Sequence, residues 1–306
     1  MHKLIAVVGP TASGKSELAL MLAEALGGEI VNTDAMQVYR GLDIGTAKPD
    51  AALRARVRHH LLDVVAPDEE YSAGHYLADA RRIIADLRAR GRVPILCGGT
   101  GLYFRALLFG MADIPPVPPA VRDRVAALLA EQGLAAAHAH LAQVDPQAAA
   151  RIHPNDPSRI ARALEVFQAT GRPLSDFHAA QPFHEAAPGV LSVACRWERA
   201  TLYARIDARV KRMLAGGWVD EVRRLLSAGY GPQLKPLRSI GYREIAALLL
   251  GQRDEARLAE DIARRTRHYA KRQLTWFNKH PDIQWAPPGD EHSLLAAAMA
   301  FLGPED

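Results

Sequence analysis

An unbroken apolar run of strand length, Leu4 to Val8, leads straight into Gly9-Pro10-Thr11-Ala12-Ser13-Gly14-Lys15-Ser16. Leu18, Leu22 and Leu26 then recur at helical spacing until Gly27-Gly28 ends the pattern. The octapeptide fits the Walker A pattern in full, and strand, glycine-rich turn and helix follow in the order its mechanism needs. Backbone N–H groups of the loop and of the helix start converge on phosphate oxygens, Lys15 adds a point charge, and the Ser16 hydroxyl can ligate magnesium. Gly9 to Ser16 are therefore expected to hold a diphosphate.

Two further apolar runs, Leu61 to Val65 and Val93 to Cys97, bracket a helical stretch from Tyr76 to Arg90 whose Leu77, Ile84 and Leu87 share a face. This alternation predicts an α/β fold, a P-loop NTPase-like parallel sheet flanked by helices. The pattern breaks at Ile114-Pro115-Pro116-Val117-Pro118-Pro119, and the Ala-, Arg- and His-rich stretch that follows has helical periods without clear strands. The expected organisation is a core in residues 1–113, an inserted all-helical domain in 114–188, and completion of the core in 189–306. Val190 to Cys195 reads as a returning strand, and helical patterns follow over 199–216, 239–250 and 255–279.

A net charge of +4 over 306 residues is compatible with a polyanionic partner without indicating one. Cys97 and Cys195 each sit in an apolar run, as reduced core residues do. The apolar run at the start is too short for a signal peptide or a membrane span, so a cytoplasmic protein with no membrane contact is expected.

Asp34 follows the short run Ile30-Val31, and strand ends beside a P-loop face its site. A carboxylate there can coordinate magnesium, act as a general base, or cap a helix starting near Met36. Gly98-Gly99-Thr100-Gly101 ends another strand and either frames a cleft with the first loop or is a tight turn chosen for backbone reasons. His59-His60 read as core or turn histidines. The basic cluster Arg264, Arg265, Arg267, His268, Lys271, Arg272 and Lys279 has Tyr269, Trp276 and Phe277 interleaved, as RNA-binding surfaces do. Ile262, Tyr269 and Trp276 also lie seven residues apart, as the buried stripe of an amphipathic helix would.

Together these segments resemble the tRNA dimethylallyltransferase family. The resemblance rests on Gly9 to Ser16, Asp34-Ala35-Met36-Gln37-Val38-Tyr39, Gly41-Leu42-Asp43-Ile44-Gly45-Thr46-Ala47-Lys48-Pro49 and Gly98 to Tyr103. It continues through Asn155 to Val166, Ile240-Gly241-Tyr242-Arg243-Glu244 and Thr266 to Phe277. Ala35 and Ser158 stand where the family usually carries Ser and Gln.

The resemblance implies attack by an adenine amino nitrogen on the allylic carbon of dimethylallyl diphosphate, with Mg2+ as cofactor and Ser16 as its protein ligand. It assigns the base to Asp34 and places Lys15, Thr100 and Arg223 near the reacting groups. It implies tRNA contacts, centred on the anticodon stem-loop, from Asp34, Ala35, Met36, Gln37, Thr100, Arg122, Ser158, Arg159, Ile160, Ala161, Arg162, Arg238, Gly241, Tyr242 and Arg243, in a monomer. A small-molecule kinase would share the P-loop and core, and a free-nucleotide prenyltransferase would keep Asp34 without the insertion. A non-catalytic RNA-binding module has no use for a P-loop paired with a strand-end carboxylate.

Overall fold

The computed structural model describes residues 3–180 and 189–303; the expected boundary at 188 lies outside them. Strand β1 (Leu4–Val8) is buried along its whole length and runs through the P-loop into α1 (Lys15–Ala25), whose Leu18 and Leu22 pack back on the sheet. After β2 (Gly28–Asn32) come α2 (Ala51–Arg56), β3 (His59–His60), α3 (Ala73–Ala89), β4 (Val93–Gly98) and α4 (Gly101–Phe109). The helices α5 (Pro119–Val144), α6 (Pro146–Arg151), α7 (Pro157–Thr170) and α8 (Leu174–Ala180) follow. The chain returns as β5 (Val190–Cys195), then α9 (Arg199–Ala215), α10 (Trp218–Ser227), α11 (Tyr242–Leu249), α12 (Leu258–Phe277), β6 (Ile283–Ala286) and α13 (Glu291–Leu302).

All six strands are parallel, in the order β3-β2-β4-β1-β5-β6. Strands buried on both faces need continuous apolar runs, which is why Leu4 to Val8 and Val190 to Cys195 carry no alternation. The register sets Val8 beside Gly98 and Asn32 beside Cys97. Three carboxyl ends therefore meet at one edge of the sheet: the P-loop, the Thr33-Asp34 segment, and Gly98 to Thr100. Backbone bonds fasten the last two, Thr33 N–H to the Cys97 carbonyl at 2.7 Å and Thr100 N–H to the Thr33 carbonyl at 3.2 Å.

The expected strand at Leu61 to Val65 is displaced to His59–His60. Leu61 and Asp63 have φ of 62° and 56°, a left-handed conformation no strand tolerates. Burial of Leu61 inside an irregular loop produces the same apolar run as a strand would. Helix α3 buries Tyr76, Ala80, Ile84 and Leu87, with Leu77 at the margin of that face.

The described chain divides into two compact units, Met1–Leu108 with Ala186–Asp306, and Phe109–Glu185. The second unit has its own core, in which Val125 and Leu141 of α5 meet Ile160 and Leu164 of α7 and Phe177 of α8. Asp145 joins its short elements, accepting from the N–H of Ala148 and of Ser175, each at 2.9 Å. No helix among the described residues is long and apolar enough to cross a membrane.

Candidate active site

The P-loop is held from outside by side chains that occupy its outward carbonyls. Arg205 of α9 donates from Nε to the Ala12 carbonyl at 2.9 Å and lies 4.1 Å over the Trp197 ring, whose Nε1 donates to the Ser13 carbonyl at 2.8 Å. Gln273 of α12 bridges the two glycine-rich loops. Its Oε1 accepts from Thr11 N–H and its Nε2 donates to the Gly99 carbonyl, both at 2.9 Å. The Thr11 N–H is thereby withdrawn from phosphate binding. Left-handed Gly14 (φ 89°) and Ala12 (φ 65°) turn the chain into α1, and the Ser13 hydroxyl stays buried without a partner, as a donor awaiting an anion would.

Gly98, Gly99 and Gly101 have no left-handed φ. Glycine is required there by close approach, since a Cβ would lie 2.4 Å from the Thr33 backbone, 2.3 Å from Gln273 Nε2 and 2.7 Å from the Trp276 ring respectively.

A cavity of about 410 Å³ opens against this edge of the sheet. Thr11, Lys15, Ser16, Asp34, Ala35, Met36, Gln37 and Thr100 line it, with Ile206, Val210, Met213, Ile240, Tyr242 and Tyr269 as an apolar wall. A second cavity of about 620 Å³ shares Lys15, Ser16, Asn32, Gln37 and Arg209 with the first, and adds Gly14, His59, Arg205 and Arg212. Helix α9 borders both: Ile206 and Val210 face the first, Arg205 and Arg212 the second, and Arg209 and Met213 line both.

Asp34 begins a turn and no helix starts at Met36. Its Oδ1 accepts from Met36 N–H at 2.8 Å, and Asn32 fixes its backbone from both sides, with Oδ1 to Asp34 N–H at 3.0 Å and Nδ2 to the Asp34 carbonyl at 3.1 Å. The Thr100 hydroxyl accepts from Ala35 N–H at 3.0 Å. Burial pulls the Lys15 ammonium below its ordinary pKa, and Arg209 adds to that while Asp34 opposes it. Arg209 is likewise lowered by burial, with Asp34 and Glu17 acting against it. Two desolvated cations at one end of the cavities make a site suited to an anion.

The cavities thus gather Thr11, Ala12, Gly14, Lys15, Ser16, Asp34, Ala35, Met36, Gln37, Thr100 and Tyr242 from the sequence-based assignment, while Gly9, Pro10 and Ser13 line neither. Arg223 is exposed on α10, pairs with Asp220 one turn earlier and lines neither cavity, whereas Arg209 lines both. Asn32, Gln273 and Arg209 were missed; the basic spacing of 205, 209 and 212 was the available signal for the last. Arg238 and Arg243 are exposed, Arg243 pairing with buried Glu244 at 2.9 Å, and Gly241 N–H is taken by the same carboxylate at 2.7 Å.

On α12, Ile262, Ala270 and Phe277 are buried while Tyr269 lines the first cavity. Arg264, Arg265 and Arg267 pair with Asp261, Glu244 and Asp207. Of the second unit's candidates, Arg122, Ser158 and Arg159 are exposed and Ala161 and Arg162 half-buried. Ile160 is wholly buried in that unit's core.

Fold and site together define a P-loop enzyme whose phosphate cradle opens beside a carboxylate and an apolar wall. Residues 37–280 match the IPP transferase family, and the chain belongs to it. The chain is 52% identical over 304 residues to the tRNA dimethylallyltransferase of Geobacter sulfurreducens, covering 98% of this chain and 97% of that one. Its fold is similar to the full-length tRNA isopentenylpyrophosphate transferase of Bacillus halodurans, with a TM-score of 0.72 at 36% identity, covering 99% and 97%. It is also similar to a eukaryotic dimethylallyltransferase captured acting on tRNA, with a TM-score of 0.81 at 28% identity, covering 97% of this chain and 78% of that one.

Proposed function

We propose that the protein transfers the dimethylallyl group of dimethylallyl diphosphate to the exocyclic amino nitrogen of an adenosine in tRNA, the one 3′-adjacent to the anticodon, and releases diphosphate. The observation that carries this reading is that Lys15 and Ser16, Asp34 and Thr100, and an apolar wall line one cavity. A phosphate cradle alone would suit a kinase. A carboxylate and an apolar wall beside it suit a reaction whose electrophile is a hydrocarbon carbon.

The adenine amino group is a poor nucleophile because its lone pair is delocalised into the ring, so a base must take a proton as the N–C bond forms. Asp34 is that base. Its Oδ1 is occupied by Met36 N–H and Asn32 fixes its backbone, which leaves Oδ2 for the incoming amine. As the C–O bond breaks, charge accumulates on the diphosphate, and Lys15, Arg209 and the loop N–H groups stabilise it in place. The site also suits magnesium, since the Ser16 hydroxyl is a hard oxygen donor facing both cavities and magnesium takes its other ligands from diphosphate oxygens and water. When bound, the ion would neutralise charge on the leaving group.

A folded RNA must unstack the target base, at a cost of a few kcal/mol. Phosphate contacts from Arg122, Arg159 and Arg162 in the unit Phe109–Glu185, and from Arg238 and Arg243, offset that cost without reading sequence. The reading is of a monomer that meets its tRNA substrate in the cytoplasm.

The test is to incubate the protein with magnesium and labelled dimethylallyl diphosphate, offering unmodified tRNA, AMP or no acceptor. Label is expected on tRNA alone. Label on AMP and not on tRNA would replace this reading with a free-nucleotide prenyltransferase.

A further inference from the structure

Helix α10 begins with two buried side chains one turn apart, Trp218 and Glu221, at 2% and 3% exposure. Its outer face carries exposed Asp220, Arg223 and Arg224. A carboxylate survives burial only when its lone pairs are filled, and here backbone and phenol fill them. Glu221 Oε2 accepts from the N–H of Asp43 at 3.0 Å and of Ile44 at 2.7 Å. Its Oε1 accepts from Gly45 N–H at 3.3 Å and from the Tyr242 hydroxyl at 2.5 Å.

The Trp218 indole lies between the same two segments. A Cβ on Gly45 would fall 2.1 Å from its Nε1, and a Cβ on Gly241 would fall 1.9 Å from its ring. Both glycines therefore exist to let the indole in.

The segments so joined are two walls of the first cavity. Gly45, Thr46 and Ala47 line it from one, Ser239, Ile240 and Tyr242 from the other. The rest of the loop is pinned separately by Lys48, whose wholly buried Nζ donates to Asp43 at 2.7 Å, to Asp63 at 2.6 Å and to the Tyr39 carbonyl at 2.8 Å. Gln37 adds bonds from Nε2 to the Thr46 and Ala47 carbonyls. The P-loop is anchored by other residues, namely Gln273, Arg205 and Trp197.

We propose that the first turn of α10 is a clamp that sets the width of the cavity where the acceptor base is received, with Glu221 as its positioning residue. The proposal rests on the tRNA-prenylation reading for the identity of the acceptor. It assigns Glu221 no contact with substrate. Because the diphosphate cradle has its own anchors, loosening the clamp affects the acceptor and spares the grip on diphosphate.

The test is steady-state prenyl transfer by the full chain carrying Glu221→Gln or Tyr242→Phe. A carboxamide offers one acceptor oxygen and turns an NH2 towards backbone donors, whereas Tyr242→Phe removes a single donor. For Glu221→Gln, KM for tRNA is expected to rise tenfold or more, while the affinity for inorganic diphosphate changes less than threefold. Tyr242→Phe should show a smaller rise of the same kind. Amide exchange at residues 43–45 should speed up in both variants, with P-loop amides unchanged.

Equal loss on tRNA and on inorganic diphosphate, or a fall in kcat alone matching a loss of folded protein, would overturn the clamp. If Glu221→Gln does not fold, Tyr242→Phe decides: an unchanged KM for tRNA overturns it and a selective rise supports it. A wild-type protein that labels no RNA would instead sink the functional reading, and the exchange at 43–45 would still decide whether the clamp exists.

Discussion

In the proposed reaction Asp34 takes the proton and Arg209 stabilises the leaving charge, and each role makes its own prediction. Asp34→Asn keeps the size and the Met36 N–H contact while removing the base, so turnover should fall by about two to four orders of magnitude. Because the base acts in the transition state, tRNA affinity measured by filter binding should stay within about twofold. Loss of RNA binding in that variant would mean that Asp34 holds the RNA. Arg209 donates charge to a desolvated site, and a charged hydrogen-bonding partner there contributes about 1.5–3 kcal/mol. Arg209→Gln should therefore weaken inorganic diphosphate by about tenfold or more. Arg223→Gln, on an exposed ion pair, should leave it unchanged. Titration calorimetry on the two variants separates the arginine that lines the cavities from the one that does not.

Elements, more than single residues, show what the sequence carried. Strands β1, β4 and β5 were legible because burial on both faces turns them into uninterrupted apolar runs, and the P-loop because its glycines, lysine and serine are contiguous. Helix α10 was not: Trp218, Glu221, Val222 and Leu225 bury a stripe that includes a carboxylate, which a hydrophobic pattern reads as polar. Arg209 and Gln273 were hidden for another reason. Each sits on a helix distant in sequence from the loop it serves, among many charged or polar neighbours, and only the packing of α9 and α12 brings them in. Glu29 on β2 is a further buried acid, and it predicts a pH effect. Arg90 and His60 hold its carboxyl down to about 2, from an ordinary 4.5. A folded-state pKa below the unfolded one adds stability above the unfolded value, and that stability is lost as pH falls through 4.5 towards 2. Urea midpoints of the wild type and Glu29→Gln should differ most at pH 6, draw together below pH 4.5 and converge only near pH 2. Curves that run parallel across that range would show the ion cluster to be energetically idle.

At the scale of the whole molecule the chain must hold a small lipid diphosphate and a large polyanion at once, and the two compact units offer different means of doing so. The unit containing the sheet sets Lys15 and Arg209, both desolvated, at the cavities, and three arginines of α12 are engaged in ion pairs. The unit Phe109–Glu185 keeps its arginines near the surface. Arg159 is 74% exposed, and its pair with Asp156 at 3.3 Å is of the surface kind that contributes little and is readily exchanged for a phosphate. Arg162, 3.8 Å from Glu165, is held still more loosely. Each phosphate contact releases condensed counterions, so the logarithm of the RNA association constant falls with the logarithm of salt by about 0.7 per contact for single strands and about 0.9 for duplex. Replacing both Arg159 and Arg162 with Gln should flatten that slope by about 1.4 to 1.8 while leaving inorganic diphosphate affinity as it is in the wild type. The contrast is with Arg209→Gln, which should alter diphosphate affinity and leave the salt slope for RNA alone. An unchanged slope in the double variant would take α7 out of the RNA interface and require the cations around the first cavity, Arg238 and Arg243 among them, to carry the whole polyanion.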